Sequence, residues 1–306
     1  MKKILLTDVT MRDGLQMQTH VMDVGAKLEL FEALWALNFE RYEITSFVNP
    51  KWVPQFQNSD EFLGVLLKKH SIDPAKLMGF VPNTKGLDRL LAYPIGWVSS
   101  FVALSETFHK KNVNQSIQET IDDLAVMIAK AHAAKRKVRV YLSTVFGCPY
   151  EGVIAEFQRD QVFEAVARLK PDEIALSDTI GVAIPLEIAG ALKALSQYHP
   201  QEATALHLHN TYGLGLAGVH QAITLGVDKI DGATGGIGGC PYAKGASGNL
   251  ATEEVVYARA RLEGGEFPVK AFEKVWSLLK AQGVPMTSHL AEIWDKGAEP
   301  WQSTNY

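Results

Sequence analysis

Long hydrophobic runs are missing from this 306-residue chain. No apolar stretch approaches the roughly 20 residues that a bilayer-spanning helix needs, so no membrane association is expected. The start, Met1–Asp8, carries two lysines but an apolar part too short for a signal peptide, and the expected location is cytoplasmic. An excess of one charge is lacking too. The 30 basic and 34 acidic residues leave a net charge of −4, which gives no reason to expect a nucleic-acid partner. Cysteine is scarce, with only Cys148 and Cys240. Two cysteines build no disulfide framework, and both are expected as free thiols. There is no low-complexity segment and no linker. No glycine fingerprint follows the first strand-like run, which disfavours an open doubly wound sheet.

What is plentiful is hydrophobic sequence, 47% of the residues, arranged in alternating short and long patterns. Short runs predict strands at 3–9, 41–45, 77–81, 97–102, 137–143, 173–176, 204–208 and 229–231. Helical patterns follow them at 24–37, 60–69, 84–92, 117–134, 155–169, 186–196, 214–225 and 250–261. In the first of these, Leu28, Phe31, Leu34 and Trp35 share one stripe. Eight β-then-α units in order predict an α/β fold, a (β/α)8 TIM barrel over about 1–262. A helical pattern at 269–281 belongs to a short C-terminal extension over about 263–306, the whole forming one catalytic domain.

Glycine is concentrated in one place, Gly235–Asn249, with Cys240 at its centre. Glycine costs backbone entropy and buries no side chain, so such a cluster implies unusual dihedrals or close approach to a ligand. Pro241 biases Cys240 toward an extended conformation, and the loop reads as built to present a thiol. A long surface turn with an incidental cysteine is the plainer alternative.

In a barrel of this kind reactive groups come from the C-terminal ends of strands. Those places hold Arg12, Asp13 and Gln16; then Glu43; Arg139 and Tyr141; Asp178; and His207 with His209. Positions i and i+2 of a strand share a face, so His207 and His209 make half of a metal site, or else a hydrogen-bonded polar pair. Asp13 is the candidate carboxylate to join them. Such a set suits Mg2+ or Mn2+, with Zn2+ a further option. Arg12 reads either as a local ion pair with Asp13 or as a fixed charge aimed at a developing oxyanion. Glu43, at the end of a buried strand, needs a partner, and Arg12 is the expected one. Asp178 reads equally as an Asx-type turn residue. Asn249 either caps the helix that follows or offers its amide oxygen to a metal.

These segments together resemble the 3-hydroxy-3-methylglutaryl-CoA lyase family, within the metal-dependent barrel lyases. The matching stretches are Arg12–Gln16, Thr45–Gln55, Lys110–Asn114, Gly147–Gly152, Asp178–Gly181, His207–His209 and Gly238–Glu253. The resemblance implies that Asp13, His207, His209 and Asn249 hold a divalent cation. It implies that Arg12 stabilises the enolate of departing acetyl-CoA and that Cys240 takes part in proton transfer. Glu43 and Asp178 would orient the site, Gln16 and Tyr141 would contact substrate, and Asp13 or His207 would remove the hydroxyl proton. Cys148 is expected to be structural.

The implied substrate is an acyl-CoA thioester, the implied setting leucine degradation, and the implied assembly a homodimer. The chain departs from the family at Val9–Gln18, where Met11 and Met17 flank the site and offer a way to reshape the pocket for another acyl group. Asp8 replaces a usual glutamate, and Asn210 stands where aspartate is frequent. A Claisen-type condensing enzyme or aldolase on the same barrel is the alternative reaction. A catalytically silent acyl-CoA- or metal-binding protein is the alternative of another class.

Overall fold

A computed structural model describes residues 4–69, 71–239 and 248–298. Eight parallel strands close into a barrel in sequence order, with the last pairing back to the first. β1 (Leu5–Asp8), α1 (Val24–Trp35), β2 (Arg41–Ser46), α2 (Ser59–Leu66), β3 (Leu77–Phe80) and α3 (Thr84–Leu90) form the first three units. β4 (Trp97–Ala103) is followed by two helices, α4 (Glu106–Val113) and α5 (Ile117–Ala133). Then come β5 (Lys137–Ser143), α6 (Glu156–Arg168), β6 (Glu173–Asp178), α7 (Pro185–Leu195), β7 (Thr204–Leu208), α8 (Gly215–Thr224), β8 (Lys229–Gly232) and α9 (Thr252–Glu263). α10 (Val269–Ala281) and α11 (His289–Asp295) lie beyond the barrel units. No helix of the described residues is long and apolar enough to cross a membrane.

Local chemistry sets these boundaries. The Asp23 carboxylate accepts the Ala26 N–H at 2.8 Å and starts α1, while Ser116 and Glu119 form a reciprocal capping box at the start of α5. Parallel barrel strands are covered by helices outside, so most of their apolar residues form one core with the inner stripes of the helices, while Met78, Tyr141, Ala175 and Ala205 form a second, smaller cluster. α10 joins that core through Phe272, Val275, Trp276 and Leu279 and packs against α1.

The structure differs from the sequence expectations at three places. α4 is new. Its sequence is polar apart from Phe108 and Val113, so no apolar stripe announces it; the Ser105 hydroxyl caps it by accepting the Phe108 N–H at 3.0 Å. β1 stops at Asp8, and the chain turns at once into a π-helical turn, Thr10–Gly14. α9 starts at Thr252 with Ala251 at its N-cap, so Asn249 does not cap it. That removes the capping alternative for Asn249.

Candidate active site

The π turn places consecutive residues, Arg12 and Asp13, at the mouth of the barrel. Gly14 lets Ile237 pack against the turn: a Cβ there would lie 2.7 Å from Ile237 Cγ1. The Arg12 guanidinium pairs through Nε with Glu43 Oε2 and through Nη1 with Asp13 Oδ1. It also lies over the rings of Phe80 at 4.9 Å and Tyr141 at 5.6 Å. Glu43 has no exposed surface, and its partner is Arg12, as the sequence suggested. The Ser99 hydroxyl also donates to Glu43, and the Tyr141 hydroxyl donates to Oε1 at 3.4 Å.

Strand β7 and the residues just beyond it carry both imidazoles onto one face. Their rings are 5.4 Å apart, and His209 bridges to Asn249 in an antiparallel pair. The Nε2 atoms of His207 and His209 stand 3.9 and 3.7 Å from Asp13 Oδ2. The Asn249 amide donates to the same oxygen at 2.8 Å and to the Ile237 carbonyl at 3.0 Å. Donor atoms of Asp13, His207 and His209 all lie within 4.8 Å of one another, a candidate metal site. The His209 Nδ1 is buried with no hydrogen-bond partner among the described residues. One carboxylate and two imidazoles form an oxygen and nitrogen set without thiolate, which fits a hard or borderline divalent cation, while the adjacent Asn249 turns its amide nitrogen, not its oxygen, toward Asp13.

The electrostatics keep Asp13 and Arg12 charged. Burial pushes the Asp13 carboxyl up, but the Arg12 guanidinium and the two imidazoles outweigh it and hold it well below the usual carboxylate range. For Arg12, burial works against the cation, yet Asp13 and Glu43 lift it above its ordinary value. A cavity of about 1250 Å³ opens over this centre. It exceeds the roughly 300–1,000 Å³ of most small-molecule clefts. Arg12, Asp13, Gln16, Tyr141, His207 and His209 line it, as does Gly239, the residue before Cys240. Cys240 itself lies outside the described residues.

Other expected residues are placed elsewhere. Asp178 does not line the cavity; its carboxylate accepts the N–H groups of Gly181, Val182 and Ala183 at 2.8–3.1 Å and shapes the β6–α7 turn. Met17 lines the cavity, but Met11 is packed in the core and cannot reshape the pocket directly. Cys148 is buried, with its thiol 3.0 Å from the Ser105 hydroxyl.

Sequence reading missed a second layer beneath the mouth. Asp231 Oδ2 on β8 lies 3.2 Å from His207 Nδ1, and Asp231 pairs with Arg139 Nη1 at 2.8 Å. Arg139 also pairs with Glu173 at 2.7 Å, which pairs with Arg41 at 2.8 Å. The available signal was charge inside short strands whose outer face is covered by helices: such a side chain has only the barrel interior to enter.

Comparison with known proteins matches residues 3–282 to the HMGL-like family. The mitochondrial hydroxymethylglutaryl-CoA lyase of Pongo abelii is 38% identical over 293 residues, covering 92% of this chain and 89% of its own. The crystal structure of hydroxymethylglutaryl-CoA lyase from Pseudomonas aeruginosa matches with TM-score 0.89 at 32% identity, over 97% of this chain and 99% of that one. An HMG-CoA lyase from Acinetobacter baumannii, solved with coenzyme A and 3-methylmalate, matches with TM-score 0.86 at 29% identity, over 95% and 94% of the two chains.

Proposed function

The chain belongs to the HMGL-like family, and on that premise we propose that it is a carbon–carbon lyase cleaving 3-hydroxy-3-methylglutaryl-CoA to acetyl-CoA and acetoacetate. The observation that carries this reading is the convergence of Asp13, His207 and His209 beside the buried Arg12, at the floor of a cavity of about 1250 Å³.

Asp13, His207, His209 and Asn249 would hold a divalent cation, Mg2+ or Mn2+. When bound, it supplies Lewis acidity that lowers the pKa of the substrate hydroxyl. Asp13 accepts the proton of the tertiary 3-hydroxyl. The oxygen lone pair forms the ketone of acetoacetate, the C2–C3 bond breaks, and its electrons become the enolate of acetyl-CoA. Arg12 faces that negative charge, which develops only as the bond breaks, so its stabilisation acts on the transition state. Glu43 fixes the guanidinium from below, held in turn by Ser99 and Tyr141. Asp178 acts through the β6–α7 turn that it shapes. Gln16 and Tyr141 contact the acyl group. Cys240 delivers the proton to the enolate carbon, a step for which a thiol near pKa 8.5 is suited. The setting we propose is a cytoplasmic homodimer acting in leucine degradation.

A panel of 3-hydroxyacyl-CoA thioesters, incubated with Mn2+ and read by mass spectrometry, tests the reaction. Release of acetyl-CoA and acetoacetate from the methylglutaryl thioester is expected, and turnover confined to a different acyl chain would refute the substrate. Cys240→Ala is expected to lower kcat about 10²–10⁴-fold, the range of a lost general acid, with an unchanged thermal midpoint. A fully active variant removes the thiol from the mechanism.

A further inference from the structure

The two imidazoles of the site are not equivalent. His207 is braced from below and His209 is not. His207 Nδ1 meets Asp231 Oδ2 at 3.2 Å, inside the barrel, where Asp231 is almost completely buried. His209 Nδ1 is buried with no hydrogen-bond partner among the described residues.

We propose that Asp231 is a positioning residue for His207: it accepts a hydrogen bond from Nδ1–H, which keeps the ring proton there and leaves Nε2 as the bare nitrogen facing Asp13. This deepens the reading given above and rests on it for the presence of a cation.

The argument is one of donors and acceptors. An ionised carboxylate only accepts, so a hydrogen bond between Asp231 and Nδ1 requires the proton on Nδ1. A neutral imidazole has one ring proton, which leaves Nε2 with its lone pair. Nε2 lies 3.9 Å from Asp13 Oδ2, too far for a hydrogen bond. That spacing suits two ligand atoms directed at a common centre. Asp231 is itself held in place. Arg139 Nη1 contacts both of its oxygens, at 2.8 and 3.1 Å, and Arg139 is anchored on its other side by Glu173. Arg139 Nη1 also donates to the Tyr141 hydroxyl at 3.3 Å, and that hydroxyl donates to Glu43 at 3.4 Å. The chain of contacts thus runs from Asp13 through Arg12, Glu43, Tyr141, Arg139 and Asp231 to His207, which faces Asp13 again. Ligands to metals are commonly oriented by such an outer partner, whose loss costs about 10–100-fold in metal affinity.

Asp231→Asn separates this role from a merely structural one. The variant keeps the shape but offers Arg139 one carbonyl oxygen. Its amide nitrogen then faces His207 Nδ1, which must accept, and the proton moves to Nε2. The Mn2+ dissociation constant is expected to rise about 10–100-fold, measured by the electron paramagnetic resonance of free Mn2+. Glu173→Gln, which breaks the next link of the same buried network, is expected to lower the thermal midpoint while leaving that constant within about twofold. An Asp231→Asn protein that folds and binds Mn2+ as the parent does would overturn the proposal. So would an equal loss of affinity in Glu173→Gln.

Long-range 1H–15N correlation on the metal-free parent protein, with His207 assigned by its loss in His207→Gln, reads the tautomer directly. Protonation at Nδ1 is expected, and protonation at Nε2 overturns the proposal even where Asp231→Asn does not fold. Failure of the parent protein to bind Mn2+ would sink the metal reading instead, and the tautomer measurement still decides the role of Asp231.

Discussion

At the scale of the residue, Arg12 carries the most. One guanidinium pairs with both Asp13 and Glu43 and lies over two aromatic rings. Its charge is fixed, planar and sheltered from water, so it needs no reorganisation when an enolate forms beside it. Arg12→Gln is expected to lower kcat for acetyl-CoA release by about 10²–10³-fold or more. It also strands Glu43 without a counter-ion, at a cost of about 3–5 kcal/mol in stability. Mn2+ affinity should change only a few fold. Titrating Mn2+ into the variant checks this, and loss of the metal would mean that the guanidinium and the Asp13 carboxylate cannot be assigned separate tasks.

At the scale of the element, the glycine-rich crossing between β8 and α9 shows how the site is held from behind. Gly235 and Gly236 take the left-handed dihedrals that side chains resist, at φ +79° and +63°. The Gly235 N–H donates to the Glu253 carboxylate at 3.0 Å, and the Gly235 carbonyl accepts from Thr287 and Ser288 at 2.8 and 3.1 Å. Trp276 Nε1 donates to the same Glu253 at 3.0 Å. Burial pushes the Glu253 carboxyl up to about 7, against the pull of these hydrogen bonds. The folded protein therefore favours the protonated form more than the unfolded chain does. That contribution is complete below the ordinary value of 4.5 and is lost as pH rises through about 7. Its full size is of the order of 3 kcal/mol. Urea unfolding of the metal-free protein between pH 5 and 8 should show this decline, and Glu253→Gln should flatten it. An identical slope in the variant would assign the decline to other groups.

At the scale of the whole molecule, the helices beyond the barrel are part of its core. Trp276 has no exposed surface and spans from the Phe272 ring to Glu253. Trp276→Ala is expected to cost about 3–5 kcal/mol, read as a lower denaturation midpoint, and to weaken the grip on Gly235 as well. Hydrogen exchange at Gly235 and Gly236 reports that second effect, and unaltered exchange there would limit Trp276 to packing.

The barrel itself was legible because each strand is a short apolar run and most helices carry an apolar stripe; β5, β7 and α10 fall where the sequence places them. α4 was not legible, since its polar sequence is held by a Ser105 cap rather than by a stripe. The pairing of His207 and His209 was legible from the shared face of a strand, and Asp13 from its polar loop beside Arg12. Asn249 had two readings that only the position of α9 separates. Asp231 was hidden, because one acid in the four-residue strand β8 shows nothing of what lies across the barrel interior.

The interlocked ions of the barrel interior have a consequence for how the protein responds to its medium. Arg139, Glu173, Asp231 and Glu43 are all within a percent or so of complete burial, out of reach of the counter-ion atmosphere that dampens exposed charges over about 8–10 Å. Lys85 and Arg89, by contrast, line the outer cavity on exposed ground. Added salt will therefore act on the capture of an anionic ligand at the rim and leave the bond-breaking floor untouched, so that KM drifts with ionic strength while kcat stands still.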